Sequence, residues 1–263
     1  MRDMATVGAG EAGGIRYVLM DIDDTLTTGG KLLAASYAAL WRLRAAGLRV
    51  VPITGRPAGW CDLIARQWPV DGVVGENGAF AMWEAEGQKL REILHPLAVP
   101  NDAPQLARAR ARALAEVPGC RIAKDQRYRR FDLAIDFAEE EPVLPLEAGV
   151  AIKRICDEEG LRAKISSIHV NAWMGDYDKL QTAAMFLRER FGYDDGADRG
   201  QVFFVGDSPN DEPMFAHFPM ACAVANVGKY LHLMKRLPAF VTKAEGGTGF
   251  AEAVELILAI RSS

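Results

Sequence analysis

Tyr17-Val18-Leu19-Met20-Asp21-Ile22-Asp23-Asp24-Thr25-Leu26 is the stretch on which the reading of this chain turns. Four apolar residues without alternation describe a strand buried on both faces, as in a parallel sheet covered by helices. The run ends at a carboxylate, Asp21, and another follows two positions later at Asp23. A polar loop continues to Gly30. Leu33, Tyr37, Leu40, Trp41 and Leu43 then recur at helical spacing until Gly47 stops them. Leu48 to Ile53 repeats the pattern of a buried strand and runs into Thr54-Gly55-Arg56-Pro57, where Pro57 can open a helix through about Gln67. Val70 to Val74 reads as a third strand, with Glu76-Asn77-Gly78 as a turn behind it. Such alternation predicts an α/β fold, a doubly wound parallel sheet whose site lies at the carboxyl ends of the strands.

The middle of the chain has another texture. Residues near Asp102 to Glu116 are rich in Ala and Arg and read as a helix, and Pro145 to Glu159 as a second. Phe131 to Phe137 alternates, the pattern of a strand with one exposed face, and Ala163 to Ala172 offers another strand or two. The prediction is an α+β insert with an open antiparallel sheet over residues 84–173, between the two parts of the α/β core, 15–83 and 174–263. In the second part a helix is expected from about Asp178 to Phe191. The strand Val202 to Val205 follows and ends at Gly206-Asp207, and two further strand–helix pairs finish the chain.

Residues 1–14, rich in Gly and Ala, are expected to form a flexible tail. Gly8-Ala9-Gly10-Glu11-Ala12-Gly13 fits a dinucleotide-binding pattern, but that pattern has meaning only between a strand and a helix, and no strand is expected before it.

Composition narrows the class. A 49% hydrophobic and 25% charged chain is ordinary for a globular protein, and no apolar run approaches the ~20 residues of a membrane span. No secretion signal is evident, and Cys61, Cys120, Cys156 and Cys222 are scattered without metal-ligand spacing, so reduced thiols and a cytoplasmic location are expected. A net charge of −4 argues against general nucleic-acid binding but leaves room for a small phosphorylated ligand. The expected partner is such a metabolite, with no nucleic acid and no membrane, for a monomer or small homo-oligomer.

The chemistry-bearing residues sit at strand ends: Asp21 and Asp23, Thr54, Asp207 with Asp211, and Lys179 at a helix start. Carboxylates converging above one sheet repel each other unless a cation lies among them. Oxygen-only ligation favours magnesium. A carboxylate nucleophile beside a hard cation and a phosphate-binding Lys fits phosphoryl transfer through an aspartyl-phosphate.

These segments resemble the four motifs of the haloacid dehalogenase-like superfamily. Asp21 to Leu26 resembles the first, Thr54-Gly55-Arg56 the second, Lys179 the third, and Gly206-Asp207-Ser208-Pro209-Asn210-Asp211 the fourth. The insert between the second and third motifs, and the turn Asn77-Gly78-Ala79, resemble the subfamily IIB (Cof-type) and sugar phosphatases, which carry an α/β cap there. The resemblance implies a magnesium-dependent phosphomonoesterase acting on a small phosphorylated metabolite, with a sugar phosphate expected. A phosphomutase or phosphotransferase on a sugar phosphate, or a retired phosphometabolite-binding protein, are the alternatives. It also implies roles. Asp21 attacks phosphorus and ligates the metal. Asp23 is the acid and base, with its carbonyl on the metal. Thr54, Gly55, Lys179 and Asn210 hold the phosphoryl group. Asp207 is a metal ligand, and Asp211 a ligand or a partner of one. Asp24, where many Cof-type members have Gly, receives no catalytic role.

Asn77, His169 and Asn171 are the candidates for substrate contact, the last two because residues two apart share a strand face. Arg127, Arg129 and Arg130 read more readily as a solvated edge strand than as receptors for an acidic group. Trp41, Trp60 and Trp68 fall at helical positions and read as core or packing residues.

Overall fold

The computed structural model describes residues 1–261. Its main sheet has six parallel strands in the order Arg2–Asp3, Phe240–Val241, Met220–Ala223, Val202–Gly206, Tyr17–Met20 and Arg49–Pro52. Tyr17–Met20 lies beside Val202–Gly206 with Met20 opposite Val205, so Asp21 and the Gly206-Asp207 segment leave the sheet together. The helices Ala34–Ala45 and Gly246–Arg261 cover one face, and Lys179–Phe191 and Glu212–His217 the other. Successive side chains of the central strand enter opposite cores. Val18 and Met20 pack with Leu40, Leu43, Phe250 and Ile257, whereas Leu19 packs with Val51, Phe186, Leu187 and Phe204. This explains why the strand reads as uninterrupted apolar sequence.

A four-stranded antiparallel sheet, Arg162–Ile165, His169–Trp173, Asp132–Asp136 and Arg121–Ile122, forms from the middle of the chain. Leu133, Ile135 and Val170 pack with Leu106, Ala109, Ile152 and Ile155 of the helices Pro104–Glu116 and Leu146–Glu158. On the other face, Asp132 pairs with Trp173, Ala134 with Asn171 and Asp136 with His169.

Five expectations change. Residues 1–14 are not a loose tail: Arg2–Asp3 adds a parallel edge strand to Phe240–Val241, Met4 and Ala12 are buried, and Ala9–Ala12 is a short helix capped by Glu11. A two-residue strand therefore does precede the Gly-rich segment. Residues 84–94 belong to a hairpin, Phe80–Ala85 with Lys89–Leu94. It pairs with Val73–Gly75, which itself continues the main sheet through a bridge between Ile53 and Val74. Asp132–Asp136 is buried on both faces, because the face without helices meets the core. Trp41 and Trp60 are exposed at 56% and 42%, so their helical positions do not make them core residues. The four cysteines are buried and unpaired, and no helix among the described residues is long and apolar enough to cross a membrane.

Candidate active site

Two loops and one helix start converge where the central strands end. The Asp21 backbone N–H donates to the Val205 carbonyl (2.9 Å), tying the first motif to the fourth. Lys179 Nζ donates to Asp21 Oδ1 (2.6 Å) and Asp211 Oδ1 (2.8 Å). The second oxygen of Asp211 accepts from the Asp207 backbone N–H (3.0 Å). Asp207 accepts from Thr25 Oγ1 (3.2 Å) and Asn226 Nδ2 (3.1 Å). Asp178 caps the helix that Lys179 begins, accepting from the Gln181 N–H.

Glycines permit this approach at two points. Gly78, at φ +108°, lies so close to that helix start that a Cβ would meet the Asp178 carbonyl oxygen at 2.2 Å. At Gly206 a Cβ would meet Asp211 Oδ2 at 2.4 Å. Asp24 has φ +55°, a left-handed conformation that Gly tolerates best and Asp better than most residues. Its N–H donates to Thr27 Oγ1 and its carbonyl accepts from Asn226 Nδ2.

Asp21, Asp207 and Asp211 are buried, and each presents a carboxylate oxygen within 4.8 Å of the others. Burial pushes the Asp21 carboxyl upward, as do Asp211 and Asp23, against the opposing pull of Lys179. Burial and then the charges of Asp21 and Asp211 push Asp207 well up. Lys179 remains charged: burial works against its ammonium, but Asp21 and Asp211 together raise its pKa. One ammonium thus faces three buried carboxylates. Oxygen donors with uncompensated negative charge are the donor set that a hard divalent cation satisfies, so these residues fit magnesium.

Beside this cluster, Asp21, Asp23, Gly55, Arg56 and Asn210 meet Ser166, Ile168, His169 and Asn171 around a narrow pocket of about 10 Å³, room for about one water. His169 and Asn171 share a strand face as expected and point to the same pocket as the first motif. Thr54 and Lys179 are buried but do not line it, and neither does Asn77. Thr54 Oγ1 accepts from the Arg56 N–H (3.0 Å), while Asn210 Oδ1 accepts from Ser208 Oγ (2.9 Å). Gly55 is where Asn77 and Asn171 crowd in, each with side-chain atoms 3.3 Å from where a Cβ would lie.

Arg56 is the residue that sequence reading undervalued. Its Nε donates to both oxygens of Asp23 (3.0 Å each) and its Nη2 to Asp23 Oδ1 (2.7 Å). From the middle of the chain, Glu139 Oε1 lies 2.8 Å from Nη2 and Asp125 Oδ2 3.4 Å from Nη1. The exposed Trp60 ring lies 4.2 Å beneath the guanidinium. Arg129, expected on a solvated edge, is fully buried: it donates to Asp125, Asp132 and the Gly55 carbonyl (2.7 Å). Arg130 pairs with Glu92, and Arg127 stacks on Tyr128. Asp132 Oδ2 also accepts from Asn171 Nδ2 (2.9 Å) and Asn77 Nδ2 (3.3 Å). Glu76 accepts from the backbone N–H groups of Ala58, Arg130, Phe131 and Asp132. Burial, followed by the charge of Asp132, pushes Glu76 up to about 7.

Asn226, also missed, follows the buried strand Met220–Ala223 at the same end of the sheet. Its position resembles those of Asp21 and Asp207, and that was its available signal.

A family model described as haloacid dehalogenase-like hydrolase matches residues 18–98. A phosphoglycolate phosphatase of Pyrobaculum neutrophilum is 31% identical over 248 residues, covering 93% of this chain and 96% of that protein. Among solved structures, a HAD/COF-like hydrolase of Plasmodium vivax superposes with a TM-score of 0.70 at 16% identity, covering 96% of this chain and 98% of the other. The subclass IIB sugar phosphatase BT4131 gives 0.62 at 16% identity, over 93% and 99%. The chain belongs to the haloacid dehalogenase-like hydrolases. Its fold is that of the HAD/COF-like and subclass IIB structures, and its activity is that of a phosphatase.

Proposed function

We propose that the chain is a magnesium-dependent phosphomonoesterase that forms an aspartyl-phosphate on Asp21. Its substrate is a small phosphorylated metabolite of about the size of phosphoglycolate. The observation that carries this reading is the placement of Asp21: a buried carboxylate held by Lys179, grouped with Asp207 and Asp211, and lining the pocket. Asp21, Asp207, Asp211 and the Asp23 carbonyl would hold magnesium, which supplies positive charge to the phosphoryl group as negative charge builds there.

The residues divide the work. A carboxylate oxygen of Asp21 attacks phosphorus, and the bond to the ester oxygen breaks. Lys179, Thr54, the Gly55 backbone and Asn210 offset the charge on the phosphoryl oxygens. Asp23 gives its proton to the departing alkoxide. It then takes a proton from the water that attacks the aspartyl-phosphate, releasing inorganic phosphate and restoring Asp21. Asp23 meets the leaving group once its carboxylate turns from Arg56 into the pocket that both residues line.

One observation supports a short substrate over the sugar phosphate expected earlier. The Pyrobaculum relative carries the name phosphoglycolate phosphatase. We assign the four-stranded sheet and its two helices, about residues 98–173, to a cap that excludes bulk water when closed.

Phosphate release from phosphoglycolate, with and without magnesium, tests the proposal. Asp21→Asn should lose turnover by at least ~10³-fold, as expected when a nucleophile is removed. Robust magnesium-dependent turnover in that variant would sink it.

A further inference from the structure

Glu139 holds two cationic or proton-donating groups that line the pocket. Its Oε1 lies 2.8 Å from Arg56 Nη2, and its Oε2 lies 2.8 Å from His169 Nε2. Arg56 and His169 are 4% and 2% exposed, while the Glu139 side chain is 28% exposed. The pair is built into the site, and the carboxylate reaches it from the rim. Arg56 is fixed from below by Trp60 and at Nη1 by Asp125, and His169 by its place in the strand.

The Glu139 backbone is anchored independently, its N–H donating to Asp136 Oδ1 (2.8 Å). The carboxylate can therefore leave without unfolding its loop. The neighbouring carboxylates differ: Asp125 and Asp132 are buried and share Arg129. Burial works against an ionised Glu139, but the hydrogen bond from His169 and the charge of Arg56 hold its pKa down, at about 2.

We propose that Arg56 and His169 form the receptor for a carboxylate on the substrate, and that the Glu139 carboxylate fills that receptor until the substrate displaces it. The inference rests on the phosphatase reading and deepens it. Asp21, Arg56 and His169 line the same narrow pocket, so a phosphoryl group at Asp21 places the other end of a short ligand beside Arg56 and His169. The substrate class is then a phosphate monoester bearing a carboxylate one or two carbons from the ester oxygen. A two-point anionic clamp of this kind gives specificity through charge-assisted hydrogen bonds.

Binding and turnover separate the two claims. In an Asp21→Asn background with magnesium, 2-phosphoglycolate and ethyl phosphate, which has a methyl in place of the carboxylate, are titrated calorimetrically. The carboxylated ligand should bind at least ~10-fold more tightly, about 1.4 kcal/mol. Adding Glu139→Gln should tighten 2-phosphoglycolate several-fold and leave ethyl phosphate unchanged. Adding His169→Gln should erode the preference by weakening only the carboxylated ligand. Equal affinity for the two ligands, or a Glu139→Gln effect of the same size on both, would overturn the inference. Phosphate release is measured separately with Asp21 intact. Selective binding without turnover would refute the phosphatase reading alone, and turnover without selectivity would refute the carboxylate receptor alone.

Discussion

Lys179 shows how much one buried side chain carries. It is 2% exposed, holds Asp21 at 2.6 Å and Asp211 at 2.8 Å, and is the ammonium that meets their charge. Removing one partner of a buried ion pair leaves the other charge uncompensated, which costs about 3–5 kcal/mol. Lys179→Met should therefore lower stability to denaturant by an amount of that order. In the proposed mechanism the same ammonium offsets charge on the phosphoryl oxygens, so kcat should fall by about 10²–10³-fold, as for other preorganised donors. Steady-state kinetics and urea unfolding check both. Unchanged kcat would remove Lys179 from the phosphate-binding set.

At the level of elements, the turn Glu76-Asn77-Gly78 does more than reverse the chain. All three residues have positive φ, at +42°, +55° and +108°. The turn abuts the start of the Lys179 helix, and Glu76 gathers four backbone N–H groups from both sides of the site. Gly78→Ala would put a methyl 2.2 Å from the Asp178 carbonyl at a φ that side chains avoid. It should cost roughly 1–3 kcal/mol and lower kcat by shifting Lys179. Gly10→Ala, where nothing lies within 4 Å, should stay within about 0.5 kcal/mol of the parent. Thermal unfolding and kinetics of the two variants test the contrast. The turn was visible in the sequence because Asn-Gly punctuates strongly, and the buried strands because runs such as Tyr17–Met20 have no polar alternation. The fate of Asp132–Asp136 was not legible. Its alternation is real, but the polar face meets the core rather than water, and that depends on the docking of two sheets.

For the whole molecule, the same limit separates the site residues that could be read from those that could not. Asp21, Thr54, Lys179, Asp207 and Asp211 follow strand ends or open a helix, so strand order alone predicts their convergence. Arg56, Glu139, Asp125 and Arg129 act between the parallel sheet and the four-stranded sheet. The partners of Arg56 lie 33 to 83 positions away, a separation of which local sequence carries no trace, whereas Arg129 pairs locally with Asp125 and its burial comes from the docking of the two sheets. The excess of buried carboxylates is likewise a property of the assembled fold, and it links metal binding to stability. At magnesium concentrations 100 times its Kd, stability should rise by about 2.7 kcal/mol, and Asp207→Asn should abolish most of that gain. Calorimetric melting with and without magnesium measures it; an equal rise in both proteins would remove Asp207 from the metal site.

The central claim concerns Asp21 and has a direct chemical readout. Acid quenching during turnover, followed by borohydride reduction and peptide mapping, converts an aspartyl-phosphate into homoserine at the residue that carried it. Conversion at Asp21, dependent on substrate and magnesium, is the predicted result. Turnover with no conversion, or with conversion at another carboxylate, would contradict the account.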